Sequence, residues 1–254
     1  MKQMKQAAKK IGILAIWIAL WQIAYLLVGQ ELIMPSPVSV AKRIYFLSGQ
    51  TNYWYSIAAS MARITAGYLA GLAAGCLFAA ITTASSFLRA FLQPLFSMIR
   101  ATPVASFIIL VFFWLTTDTV PVFTSFLMVL GIVWGNVSEG IAAVPKDLLE
   151  MAYVFHFSQA SKIKNIYIPG VRPFFLASAV SSLGLAWKAG IAAEVICRPA
   201  FSIGKALYNA KVYLEAPDLF AWTTTIILLS IALEKIVTRL ISPAKRRGAA
   251  KIKN

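Results

Sequence analysis

Apolar positions fall in long blocks separated by short polar stretches. The blocks at about 11–29, 56–82, 89–115, 120–143, 170–192 and 219–242 each approach or exceed the ~20 mostly apolar residues of a bilayer-spanning helix. This pattern predicts an all-α polytopic membrane protein of about six spans, organised as one transmembrane domain over residues 1–254. The first block is long for a signal peptide, and no small-x-small cleavage site follows it, so a retained helix is expected. Between the first two blocks, Val38, Ala41, Ile44 and Tyr45 share one helical face over 38–49 and predict a helix lying flat on the outer surface. Pro94, Pro103 and Pro121 predict kinks or ends in the third and fourth spans. Gly67, Gly71 and Gly75 form a repeated G-x-x-x-G face for close helix packing, within the chain or between two copies. Trp17, Trp21, Trp54, Trp114, Trp134 and Trp222 fall toward span ends and are expected as interfacial anchors.

The polar interruption at 145–169 has its own pattern. Pro145 suits a first helical turn, and Asp147 and Glu150 put negative charge near the helix N-terminus, where the dipole favours it. Leu148, Met151, Ala152 and Phe155 recur at i, i+3, i+4 and i+7, giving an apolar stripe on a short helix outside the bilayer. Such a stripe seeks a protein groove or the lipid surface. Ser158 can cap a second short helix carrying Lys162 and Lys164, which is expected to end before Pro169.

Composition and charge fix the setting. Hydrophobic residues make up 59% of the 254 and charged residues 13%, about half the share of a soluble domain. With six spans and an inner N-terminus, sixteen basic residues fall inside: Lys2, Lys5, Lys9, Lys10, Arg89, Lys146, Lys162, Lys164, Arg172, Lys235, Arg239, Lys245, Arg246, Arg247, Lys251 and Lys253. Five fall outside: Lys42, Arg43, Arg198, Lys205 and Lys211. That bias predicts both termini and the 145–169 loop in the cytoplasm. The net charge of +15 is then positive-inside bias plus attraction to the lipid bilayer, and no nucleic acid is needed to explain it.

Charges within the apolar blocks are costly and therefore informative. Arg100 lies about eleven residues into the third span, ~16 Å at helical rise, which predicts a place near the midplane. Lys188 falls in the outer part of the fifth span, Arg63 about seven residues into the second, Glu194 at the end of the fifth and Glu139 near the inner end of the fourth. Arg63 and Glu139 have a structural reading as ion pairs or snorkelling groups. Arg100, Lys188, Glu194 and Arg63 are candidate residues of a translocation path. Three cations against peripheral acids favour an anionic or polar solute.

No catalytic chemistry assembles. Cys76 and Cys197 lack metal-ligand spacing, and His156 is the single histidine. Gly204-Lys205 is followed by Ala206 and lacks the earlier glycine of a phosphate-binding loop, so neither an enzyme nor a cofactor or metal site is expected.

The stretch Glu150-Met151-Ala152, then His156, then Ile166-Tyr167-Ile168-Pro169 resembles the cytoplasmic E-A-A loop of permease subunits of bacterial ATP-binding-cassette importers. Met and Ile are mild replacements, and His156 stands where that pattern has Gly. Further matches narrow the resemblance to permeases for nitrate, sulfonates, taurine, bicarbonate and thiamine-precursor pyrimidines. They are Met34-Pro35-Ser36-Pro37 with Val40, Ser60 with Arg63 and Gly67, Arg100-Ala101-Thr102-Pro103 with Trp114, Trp187 through Ala193-Glu194, and Ile203-Gly204-Lys205 with Lys211. Leu115-Thr116 departs from the usual Phe-Gly pair. The resemblance implies an inner-membrane permease that pairs with a second copy. It also implies two cytoplasmic ATP-binding subunits docked on Glu150, Met151, Ala152, Phe155, His156, Ile166 and Pro169, and an extracytoplasmic solute-binding protein. ATP would be hydrolysed by the partner subunits, not by this chain. An ion-gradient-driven secondary transporter is the alternative; it would need intramembrane acids and no docking loop.

Overall fold

The computed structural model describes the backbone of residues 2–251 and the side chains of residues 12–239. The basic residues that flank this range lie outside the described side chains. Eleven α-helices are present among the described residues: α1 Lys2–Val28, α2 Pro37–Ser48, α3 Thr51–Ala84, α4 Ser86–Ala101, α5 Val104–Val111, α6 Thr119–Ala142, α7 Lys146–Val154, α8 Gln159–Lys162, α9 Ile168–Cys197, α10 Ile203–Val212 and α11 Ala216–Lys251. A π-helical turn, Ile163–Tyr167, joins α8 to α9, and no strand occurs among the described residues.

Three helices, α3, α6 and α9, form the centre. On α3, a Cβ at Gly67 would meet the Val122 carbonyl oxygen at 2.2 Å, while at Gly71 and Gly75 it would meet Val129 Cβ and Val133 Cβ at 2.7 Å each. The glycine face is therefore used within the chain, where it lets α3 and α6 approach backbone to backbone. Gly190 of α9 does the same against Ile64 and Ser125. Buried hydroxyls finish the seams: Tyr68 donates to the Ala179 carbonyl at 2.8 Å, and Ser125 to that of Ala186 at 3.1 Å.

The six expected spans map unevenly onto these helices. Four are long and apolar enough to cross a bilayer: Thr51–Ala84, Thr119–Ala142, the continuous Gln159–Cys197 and Ala216–Arg239. The third block is instead the pair α4–α5, bent by 108°, which makes five spans if the pair crosses as one. Pro103 accounts for the break: it removes an N–H, and its ring drives Thr102 to an extended ψ of 128°. The first block appears as the shorter apolar helix Gly12–Val28. It meets the body through Trp21, whose indole donates to the Pro35 carbonyl at 3.1 Å and stacks on Phe220.

Two expectations are corrected by burial. Trp134 and Trp222 are 6% exposed and belong to the core, not to an interfacial belt, because both indoles pack against aromatic rings. The 38–49 segment is a helix, capped by Ser36, which accepts from Ser39 N–H. It does not rest on the surface alone: Val40 and Leu47 are buried, and Arg43 pairs with Asp218 at the start of α11.

Candidate functional site

The 145–169 loop folds as a small unit with its own core. Pro145 sits at the N-cap of α7 and Asp147 in its first turn. Phe157 N–H then reaches back to the Ala152 carbonyl at 2.9 Å and His156 N–H to that of Tyr153 at 3.0 Å. This pair of bonds is a Schellman C-cap, which requires a left-handed residue at the turn. His156 supplies it with φ +51°, taking the conformation for which the resembling pattern carries Gly. The Ser158 hydroxyl accepts from Ser161 N–H at 3.2 Å and starts α8.

Burial separates the two faces of α7. Ala152 is fully buried and packs with Val144, Ile166, Leu149 and Phe157, so Ala152 and Ile166 hold the loop together and are not part of its outer surface. Leu148, Met151 and Phe155 are 42%, 40% and 69% exposed, and Glu150 is exposed beside them. The outward apolar stripe is thus narrower than i, i+3, i+4 and i+7; it omits i+4 because that position points into the loop's own core. The second helix does not stop before Pro169, which is exposed. The π turn, in which Ile168 N–H bonds the Ile163 carbonyl, shifts the hydrogen-bond register, and Pro169 falls in the first turn of α9, where a missing N–H is tolerated. Loop and span are one helix with a widened turn.

At the opposite end of the bundle, Arg63 and Glu194 come together. Glu194 is fully buried and accepts from Ser60 Oγ at 2.7 Å, Gly204 N–H at 3.2 Å and Arg63 Nη1 at 3.3 Å. Arg63 also donates to Asp118 at 2.6 Å and to the carbonyls of Ala200 and Phe201. Ser60 Oγ in turn accepts from Ile203 N–H at 3.0 Å. One node therefore joins α3, α9, the start of α10 and the segment before α6. From Arg63 to Ala84 at the other end of α3 is about 30 Å of helix, close to a full hydrocarbon thickness, and α3 extends another twelve residues beyond Arg63 to Thr51.

Arg100 and Lys188 do not join this node. Lys188 is exposed on α9 and has no ion-pair partner among the described residues. Arg100 lies along α6, with Cγ 3.4 Å from where a Gly131 Cβ would be and Nη1 3.7 Å from where a Gly135 Cβ would be. Its guanidinium carbon sits over the Trp134 ring, 5.7 Å from the centroid. Gly135 is seven residues before the end of α6, ~10 Å at helical rise, so Arg100 lies beside the C-terminal half of α6. The straight third span expected over 89–115 does not form, because the chain bends by 108° just past Arg100. Trp134, Gly131, Gly135, Asp118 and Gly204 were not singled out as site residues in the sequence. The Gly131-x-x-x-Gly135 spacing, the same signal read on α3, was there to find.

The family model described as "Binding-protein-dependent transport system inner membrane component" matches residues 67–247. The chain belongs to that family. It is a family of transport permeases, not enzymes, so its members move a solute across a membrane without reacting with it. Among curated relatives, the nitrate import permease protein NrtB of Synechococcus elongatus is 28% identical over 92% of this chain and 89% of that protein. The taurine transport system permease protein TauC of Escherichia coli is 23% identical over 91% of this chain and 86% of that protein. Of solved structures, an amino acid ABC transporter crystallised with histidines superposes with a TM-score of 0.59 at 16% identity, over 74% of this chain and 90% of that one. The inward-facing MetNI methionine ABC transporter gives 0.59 at 13% identity, over 77% and 93%. Both share the fold.

Proposed function

We propose that this chain is the membrane-spanning subunit of an ATP-driven importer for a small anionic solute of the nitrate, taurine or sulfonate kind. It acts as a pair with a second copy, both termini facing the cytoplasm. Two cytoplasmic ATPase subunits dock on the α7 loop, and an extracytoplasmic solute-binding protein delivers the solute. The observation that carries this reading is the outer face of α7: Leu148, Met151 and Phe155 exposed beside Glu150 on a helix that a Schellman turn and a buried Ala152 hold rigid. A water-facing stripe this apolar on a fixed helix fits the groove of a partner protein. The solute class is supported by the relatives' names and by Arg100 and Lys188, neither of which pairs with an acid among the described residues.

The test is co-purification. Met151→Asp and Glu150→Lys change only exposed positions, so each variant should reach the membrane and melt like the parent while losing the ATPase subunit and solute uptake. An ATPase that stays bound with full uptake in both variants would sink the docking assignment.

A further inference from the structure

Trp134 is pinned from several directions. Its indole N–H donates to Thr82 Oγ1 at 3.0 Å, and its ring stacks on Phe96 with centroids 4.1 Å apart and planes 12° from parallel. Phe96 and Arg100 are four residues apart and share one face of α4, so the ring that holds Phe96 also meets the arginine. Gly131 and Gly135 leave a notch along α6 in which the Arg100 stem lies, and the guanidinium rests over the indole. This arrangement differs from that of Arg43 and Arg63, whose N–H groups are taken by Asp218, Asp118 and Glu194. Arg100 is exposed, makes no hydrogen bond or ion pair among the described residues, and is not paired even with Glu139, one turn beyond Gly135 on α6. A ring holds a cation through its face and leaves the N–H edges of the planar fork free. An unused fork whose plane is held by a fixed ring is suited to a bidentate oxyanion.

We propose that Arg100, seated on Trp134 in the Gly131–Gly135 notch, forms a binding site for a small singly charged oxyanion, with Trp134 as its positioning residue. Thr82 sets the indole plane, the indole sets the guanidinium plane, and the glycines set how far along α6 the stem can lie. The proposal rests on the reading of Arg100 as a path residue and adds to it the site's ligand class and the groups that hold the arginine in place.

The test uses the full chain in lipid nanodiscs with all seven tryptophans replaced by 5-fluorotryptophan and followed by fluorine NMR. The Trp134 resonance is the one lost in Trp134→Phe. Sodium nitrate and sodium methanesulfonate are the probes. Either should move the Trp134 resonance saturably, and Arg100→Gln should abolish that movement. Arg100→Lys should raise the half-saturating concentration about tenfold, since charge survives and the fork does not. Gly135→Leu fills the notch and should weaken binding by about tenfold or more. Thr82→Val, which frees the indole, serves in place of Gly135→Leu if the latter does not fold, and should likewise weaken binding. A saturable shift that survives in Arg100→Gln, or none with either probe in the parent, overturns the site. Parent-like binding in Gly135→Leu or Thr82→Val overturns the positioning role. Uptake is measured alongside. If Arg100→Gln abolishes uptake and no shift exists, the path reading stands without this site. If the shift exists and Arg100→Gln transports normally, the site stands but lies off the path.

Discussion

Gly204 and Gly184 offer a paired test of how α10 is seated. A Cβ at Gly204 would lie 2.4 Å from Glu194 C, Glu194 Cβ and Val195 N. These are main-chain or first side-chain atoms of a packed helix, so none can swing aside. Restoring ordinary contact requires α10 to move off α9 by about 1 Å, and overpacking of this kind costs about 1–3 kcal/mol. The same movement stretches the 3.2 Å Gly204 N–H bond to the Glu194 carboxylate, and a hydrogen bond to a charged group contributes about 1.5–3 kcal/mol. The two terms overlap, because one displacement causes both, so Gly204→Ala is expected to lose about 3 kcal/mol. At ~2–4 °C per kcal/mol for a chain of this size, the melting temperature should fall on the order of 10 °C. Gly184, also helical, has no atom within 4 Å of its would-be Cβ, and Ala there should gain up to about 1 kcal/mol of helix propensity. Thermal unfolding of both variants in the same detergent, followed by loss of the monodisperse peak on gel filtration, decides it. Equal melting temperatures for Gly204→Ala and Gly184→Ala would refute the account of α10 held by close contact to α9.

Other outcomes follow from the loop and the charges. In a variant lacking Cys76 and Cys197, a cysteine placed at Ser161 should resist an impermeant thiol reagent added outside intact cells; labelling there would invert the topology and remove the docking argument. His156→Gly should leave uptake intact, because it relieves a left-handed non-glycine residue at φ +51°, whereas His156→Val should lose about 1–2 kcal/mol of loop stability and with it ATPase binding. Ala152→Asp should abolish docking by a different route from Met151→Asp: it buries a charge among Val144 and Ile166, so limited proteolysis should cut the 145–169 loop in Ala152→Asp but not in Met151→Asp. Arg100→Gln should assemble with basal ATPase activity retained and uptake lost, and Arg100→Lys should keep part of the uptake; normal uptake in Arg100→Gln would remove Arg100 from the path.

Much of this was legible in the chain, and the misses have a common cause. The α3 glycine face, the Ser158 cap and the glycine-like position of His156 were readable because each depends on residues a few positions apart. Long-range geometry was not. The depth of Arg100 assumed one straight span over 89–115, and the 108° bend at Thr102–Pro103 breaks that span just past Arg100 although both residues were in view. The start of α3 was not legible either: apolar composition marks where a span can begin, while α3 continues twelve residues from Arg63 back to Thr51 through Tyr53 and Trp54, which anchor it on α11 and α2. Trp134 and Trp222 looked like interfacial anchors because sequence position cannot distinguish a ring facing lipid from one stacked on Phe96 or Tyr53. The pairing of Arg63 with Glu194 spans 131 positions and has no local signature at all.

The path from the loop to the far side of the membrane is short in mechanical terms. Gln159–Cys197 is one continuous helix of 39 residues, with the π turn directly beside the α7 unit and Pro173 inside the helix beyond it. A helix transmits displacement along its axis but yields at a widened turn, where hydrogen-bond register can slip. Motion applied to Met151 and Phe155 therefore enters α9 through a part of it that can change register. Beyond that turn, α9 carries Lys188 and, near its end, Glu194, which grips Ser60, Arg63 and the Gly204 amide of α10. Any axial or rotary movement of α9 must either carry α10 and the Asp118 segment with it or break the node. Asp118 is the weak link: its side chain is 59% exposed, whereas Glu194 is fully buried. Breaking the Arg63–Asp118 contact costs little in the presence of water, about 1 kcal/mol or less for an exposed pair. Breaking the Glu194 contacts leaves a buried carboxylate without donors and costs several times more. The node should therefore open at Asp118 first, freeing the segment before α6 while α3, α9 and α10 stay together.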